Sequence, residues 1–132
     1  MREARATYLA SMAEWVLRRN DMEGWTRAAP NLYPHQWSWD TGFIAIGLAH
    51  LDTPRAAREL ASLFERQWRN GKVPHIVFNP DAPPDSYFPG PEHWSSAGVY
   101  PDAPPAPPYT SCLCQPPTHA LGAIRVWELA QE

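Results

Sequence analysis

The chain has 132 residues, 44% of them hydrophobic, and a formal charge of −3 from 11 basic and 14 acidic side chains. That length suits one domain with a modest core, and the charge offers no basic field to attract nucleic acid. Seven tryptophans are many for this size and ordinarily signal core, while no segment has the continuous apolar length of a membrane span.

The first element expected is a helix over about residues 3–19, with Tyr8, Leu9, Met12, Trp15 and Val16 on one stripe at helical spacing. Glu14 interrupts its arginine-bearing start, so it reads as an amphipathic helix rather than a signal peptide. Residues 20–39 read as a loop broken by Gly24, Pro30 and Pro34. A second helix is expected from about 41 to 51, where Gly42, Ala45, Gly47 and Ala49 favour close packing at some cost in propensity. The third helix has Thr53 as its expected N-cap, Pro54 at its first position and Asn70-Gly71 as its stop. Ala57, Leu60, Ala61, Phe64 and Trp68 form its expected buried stripe, leaving Glu59 and Glu65 on the polar side. The tight turn between helices two and three implies an antiparallel pair.

From about residue 73 to 117 the chain holds thirteen of its sixteen prolines. Ile76, Phe78, Tyr87, Trp94, Tyr100 and Tyr109 are too apolar for a solvated linker, so an ordered, site-forming loop is expected. A last helix over about 118–130 carries Leu121, Ile124, Val126, Trp127 and Leu129 on more than one face, which fits helices with further partners.

The stretch NLYPHQWSWD, residues 31–40, concentrates the functional signal. Tryptophan faces pack on the C–H faces of a sugar ring, while Asp, Gln and His edges bind its hydroxyls. Asp40 also reads as the N-cap of the run Phe43, Ile44, Ile46, Leu48, a role compatible with ligand binding. The reading is a sugar or polyol pocket, with core packing open for Trp37 or Trp39. The five histidines match no zinc spacing, so no metal is expected. Cys112 and Cys114 are too close in sequence for a good mutual bridge and read as buried, inert thiols of a reducing cytoplasm. A Cys/His119 hydrolase is a weaker alternative.

Helical hairpins joined alternately by tight turns and long aromatic loops are expected of an (α/α) barrel. YPHQWSWDTGFIAIGLA, RAARELASLFERQWRNGKVPHIVF, YFPGPEHW and TSCLCQPPTHA occur in that order. They resemble the six-hairpin (α/α)6 glycoside hydrolases, above all mannosylglycerate and glucosylglycerate hydrolases, and more broadly glycoside hydrolase family 63. The resemblance runs across almost the whole chain. It implies an all-α fold of antiparallel helical hairpins with long ordered loops, residues 1–132 being the N-terminal portion of the catalytic domain. Residue by residue it carries over Tyr33, Trp37, Trp39, Asp40, His75, Tyr87 and Gln115 as substrate contacts. Trp37 and Trp39 would wall the sugar, Asp40, His75 and Gln115 bind its oxygens, and Tyr87 contact the acidic or polyol end.

The family's general acid and base lie in later parts of longer chains and have no match here, so no catalytic residue is assigned. The implied reaction is inverting hydrolysis of an α-glycoside without a cofactor, which needs two carboxylates flanking the bond. The implied partners are a small glycoside or oligosaccharide and the remaining barrel helices, with neither nucleic acid nor membrane, in the cytoplasm. The alternative from another class is a stand-alone, non-catalytic carbohydrate-binding or helical interaction module.

Overall fold

A computed structural model of the chain describes residues 2–94 and 96–132. In chain order it contains α1 (Arg2–Asn20), β1 (Gln36–Trp37), α2 (Ser38–Ala49), α3 (Thr53–Phe64), β2 (Ile76–Val77), the short turns α4 (Pro91–Trp94) and α5 (Ser96–Val99), and α6 (Thr118–Leu129). The fold is mainly helical, as the patterning implies, with a two-residue antiparallel strand pair that the sequence did not announce. Among the described residues no helix is long and apolar enough to cross a membrane.

The helical core lies where α2, α3 and α6 meet. Ala45, Leu48, Ala49, Ala56, Leu60 and Val126 are buried together, with Leu17, Ile44 and Leu129 packed against them. Small side chains dominate this group, which lets the helix backbones approach closely. The closest approach joins α2 to α6. A Cβ built on Gly42 would sit 2.6 Å from the Thr118 backbone, and one on Gly122 would sit 2.9 Å from the Gly42 carbonyl oxygen. Backbone cannot swing aside as a flexible side chain can, so both positions require glycine. Gly42→Ala is therefore expected to lower stability by about 1–3 kcal/mol, the usual cost of overpacking. Gly98→Ala, which meets nothing within 4 Å, should leave the urea midpoint almost unchanged. Equal midpoints for the two variants would contradict this reading of the α2–α6 contact.

Five expectations about the helices are corrected. The second helix begins at Ser38 rather than residue 41, so its N-cap is Trp37 and Asp40 lies inside its first turn. The third helix is capped by Asp52, whose side chain accepts the Arg55 N–H, and not by Thr53, which is already helical. That helix stops at Phe64, and Trp68 is buried from the turn beyond it. Its inward face is Ala56, Glu59, Leu60, Ser62 and Leu63, whereas Ala57, Ala61 and Phe64 face outward.

Glu59 is the fifth correction, because it is fully buried rather than on the polar side. It is kept by partners: Oε1 accepts the Thr26 N–H at 3.1 Å and Oε2 accepts the Thr26 hydroxyl at 2.7 Å. Arg55 Nη1 lies 3.0 Å from Oε2, and the same guanidinium reaches Asp21 at 2.9 Å. Residues just beyond α1 are thereby tied to α3. Burial pushes the Glu59 carboxyl above its ordinary value, while Thr26 and Arg55 oppose the rise.

The apolar stripe of α1 faces solvent, as do Phe43 on α2 and Leu121, Ile124 and Trp127 on α6. Only the C-terminal end of α1, through Leu17, reaches the helical core. The thiols also differ from expectation. Cys112 is partly buried and Cys114 is exposed, and both are free.

Candidate functional site

Three loop segments far apart in sequence form one ladder. β1 pairs antiparallel with β2, Gln36 opposite Val77 and Trp37 opposite Ile76. On the other side of β2, Phe78 N–H donates to Tyr109 O at 2.9 Å, Ser111 N–H to Ile76 O at 3.1 Å, and His75 N–H to Leu113 O at 2.9 Å. The proline-rich stretch is thus held by backbone hydrogen bonds, as its apolar content implies. Ile76, Val77 and Phe78 are buried beneath it.

The ladder delivers the chain directly into α2, and the first amides of a helix need acceptors. Trp37 supplies no side-chain cap. The acceptors come from elsewhere: Ser38 N–H donates to His75 O at 3.0 Å, and Trp39 N–H to Gln115 Oε1 at 3.0 Å. Thr118 at the start of α6 donates its hydroxyl to Trp39 O at 2.7 Å. Two consecutive amides at the head of α2 therefore fix both His75 and Gln115. Asp40 follows in the first turn, where a carboxylate is favoured by the helix dipole. Burial pushes its carboxyl upward, opposed by hydrogen bonds with its own N–H and with the Trp39 side chain.

The two tryptophans occupy different environments. Trp37 is 6% exposed, while Trp39 is 44% exposed and touches Phe43 edge-on at 6.2 Å between centroids. Around Trp37, Tyr33 and Tyr87 pack edge-to-face at 5.3 and 5.1 Å, and the His35 ring stacks at 5.5 Å. Beside this cluster lies a cavity of about 240 Å³, lined by His35, Phe78, Tyr87, Pro107 and Tyr109 among others.

His75 is half-buried and meets the Trp94 ring edge-on at 5.3 Å, while its Nδ1 hydrogen-bonds the Ser111 hydroxyl. Burial lowers its pKa, so the neutral ring prevails near neutral pH. His35 is buried outright, and its Nδ1 accepts the Asn79 N–H at 3.1 Å.

The seven candidate residues thus fall into three neighbouring groups. Tyr33, Trp37 and Tyr87 form the aromatic cluster; Trp39, Asp40 and Gln115 stand at the head of α2; His75 immediately precedes β2, with its carbonyl on the Ser38 N–H. The groups are joined through the backbone of residues 36–39. Sequence reasoning missed Ser111, Thr118 and Asn79, which orient their neighbours. Their signal was weak, because a serine, threonine or asparagine in a loop ordinarily bonds its own backbone. Among the described residues no three His, Cys, Asp or Glu side chains are grouped to hold a metal ion.

Comparison with known proteins gives a consistent family picture. Residues 33–132 match the model of the mannosylglycerate hydrolase MGH1-like glycoside hydrolase domain. A glucosylglycerate hydrolase of Mycolicibacterium hassiacum is 50% identical over 125 residues, which is 95% of this chain and 27% of that protein. A mannosylglycerate hydrolase of Rubrobacter radiotolerans is 46% identical, covering 94% of this chain and 27% of its own length. The structure resembles the crystal structure of the GH63 mannosylglycerate hydrolase from Thermus thermophilus in complex with Tris and D-glycerate. That match has a TM-score of 0.78 and 39% identity, over 91% of this chain and 26% of the other. The chain thus spans about a quarter of the length of the relatives it matches.

Proposed function

Because the chain belongs to the mannosylglycerate hydrolase MGH1-like glycoside hydrolase family, we propose that it supplies the sugar-binding wall of a glycosidase active site. The substrates in this reading are small glycosides such as mannosylglycerate or glucosylglycerate, in keeping with the names of its relatives. The observation that carries the reading is the head of α2, where His75 and Gln115 are fixed on successive amides beside Trp39 and Asp40. Trp39 offers its open face to the C–H face of a sugar ring. Asp40, the outer nitrogen of His75 and the amide nitrogen of Gln115 address its oxygens. Trp37 holds Tyr33 and Tyr87 in place rather than stacking on the ligand, since its own ring is enclosed.

Hydrolysis of a glycoside needs an acid on the leaving oxygen and a second carboxylate as base or nucleophile. Neither is assigned among these residues; the remaining helices of the barrel provide both. The apolar faces of α2 and α6, and the groove lined by Ala57, Leu60, Ala123, Val126 and Trp127, support this. They are surfaces that further hairpins would cover.

The test is a titration of the chain with glucosylglycerate and mannosylglycerate, paired with an assay for released sugar. Binding without turnover is expected. Trp39→Ala and Asp40→Ala should each weaken binding roughly tenfold, from the loss of ring packing or of a charge-assisted hydrogen bond. Trp15→Ala, on the far helix, should bind as the parent chain does. Turnover by the 132 residues alone would overturn the division of labour, and unchanged affinity in both site variants would overturn the site.

A further inference from the structure

We propose that Ser111 is a positioning residue, whose hydroxyl fixes the His75 ring with its proton on Nε2 and so makes that edge a hydrogen-bond donor to a substrate oxygen. The consequence for substrate rests on the sugar-binding reading above, whereas the proton's place does not.

The Ser111 hydroxyl is fully buried and has one proton and two lone pairs. One lone pair accepts the Ile76 N–H at 3.2 Å, and the Ser111 N–H returns a bond to the Ile76 carbonyl at 3.1 Å. Those two bonds hold Ser111 in a single place. The other neighbour of its oxygen is His75 Nδ1. If Nδ1 carried the histidine proton it would donate to Oγ, and the serine's own proton would be buried with no acceptor. If the serine donates instead, both the Ser111 hydroxyl and His75 Nδ1 are satisfied. Nδ1 is then an acceptor, and the proton of the neutral ring must sit on Nε2.

Other contacts keep the ring from escaping this choice. The His75 backbone is bonded on both sides, its N–H to Leu113 O and its carbonyl to the Ser38 N–H, and Trp94 packs edge-on against the ring. Nε2 has no partner among the described residues. Burial of the ring favours the neutral form, which is the form with a tautomer to choose.

The experiment is a long-range proton–nitrogen correlation spectrum of the full chain labelled with 15N-histidine at pH 8, with His75→Asn used to assign the resonances. The expected result is an unprotonated Nδ1 and a protonated Nε2 in the parent chain. Ser111→Ala should shift the ring toward a mixture of tautomers, and Ser111→Thr, which retains a hydroxyl, should restore the parent pattern. A ring with its proton on Nδ1, or a Ser111→Ala spectrum identical to the parent's, overturns the proposal. If Ser111→Ala fails to fold, the parent and Ser111→Thr spectra decide by themselves. Adding glucose separates the two readings. A protonated Nε2 that glucose does not shift supports the Ser111–His75 assignment and overturns sugar binding by His75.

Discussion

Replacing Glu59 by alanine is expected to cost about 3–5 kcal/mol, the penalty of breaking a buried, hydrogen-bonded ion pair by removing one partner. The carboxylate has no exposed surface, and it accepts both the amide and the hydroxyl of Thr26 while facing Arg55. Its loss leaves two donors of Thr26 without their acceptor and a largely buried guanidinium with Asp21 as its remaining carboxylate. It also removes the direct tie of Thr26 to Glu59 of α3, leaving Arg55, through Asp21 and the Thr26 hydroxyl, as the remaining link. Glu59→Gln should recover part of the loss, because the amide oxygen still accepts one bond. Urea midpoints for the two variants and for Arg55→Ala test this, and the paired change at Glu59 and Arg55 should cost less than the sum of the single ones. A shift for Glu59→Ala no larger than that of the exposed Glu65→Ala would show that the network contributes nothing.

The second large effect is acid destabilisation through His35. Burial lowers its pKa from 6.5 to about 4, and its Nδ1 accepts the Asn79 N–H, a bond that only an unprotonated nitrogen can make. The sign follows from linkage. Above pH 6.5 the ring is neutral whether the chain is folded or not, and its contribution is fully present. Between that value and about 4 the unfolded chain takes up a proton that the folded chain refuses, so stability falls as the pH falls. The full difference is roughly 3 kcal/mol. Other groups titrate in the lower half of this window, so the comparison must be with His35→Gln. Its midpoint should fall less steeply between pH 6.5 and about 4 than the parent's. Parallel slopes would contradict a role for burial.

Much of the helical frame was legible because helix existence follows from apolar spacing, which α1, α3 and α6 all show. The start of α2 was not legible. Asp40 has the chemistry of a cap, yet Trp37 takes that position because the β1–β2 ladder carries the chain straight into the helix. The missing acceptor then comes from Gln115, 76 residues away in sequence. A rule built on neighbouring residues has no means of finding such a partner. Glu59 shows the same limit from the other side. A glutamate on an amphipathic helix is ordinarily solvated, and only the return of Thr26 and Arg55 to the same point allows it to be buried. The α1 stripe was read correctly as apolar, but its environment depends on what packs against it. The candidate site was legible as residue types and, through the family resemblance, as positions. What the sequence left out were the orienting residues, Ser111, Thr118 and Asn79, whose roles exist only once the three loop segments lie side by side.

Whether the head of α2 is where a sugar binds is tested most directly by a crystal structure of the chain soaked with glucose or glucosylglycerate. A sugar ring is expected against the Trp39 face, with oxygens on Asp40, His75 Nε2 and the Gln115 amide nitrogen. A sugar seated instead in the cavity between His35, Tyr87 and Tyr109, with the head of α2 empty, would contradict that assignment.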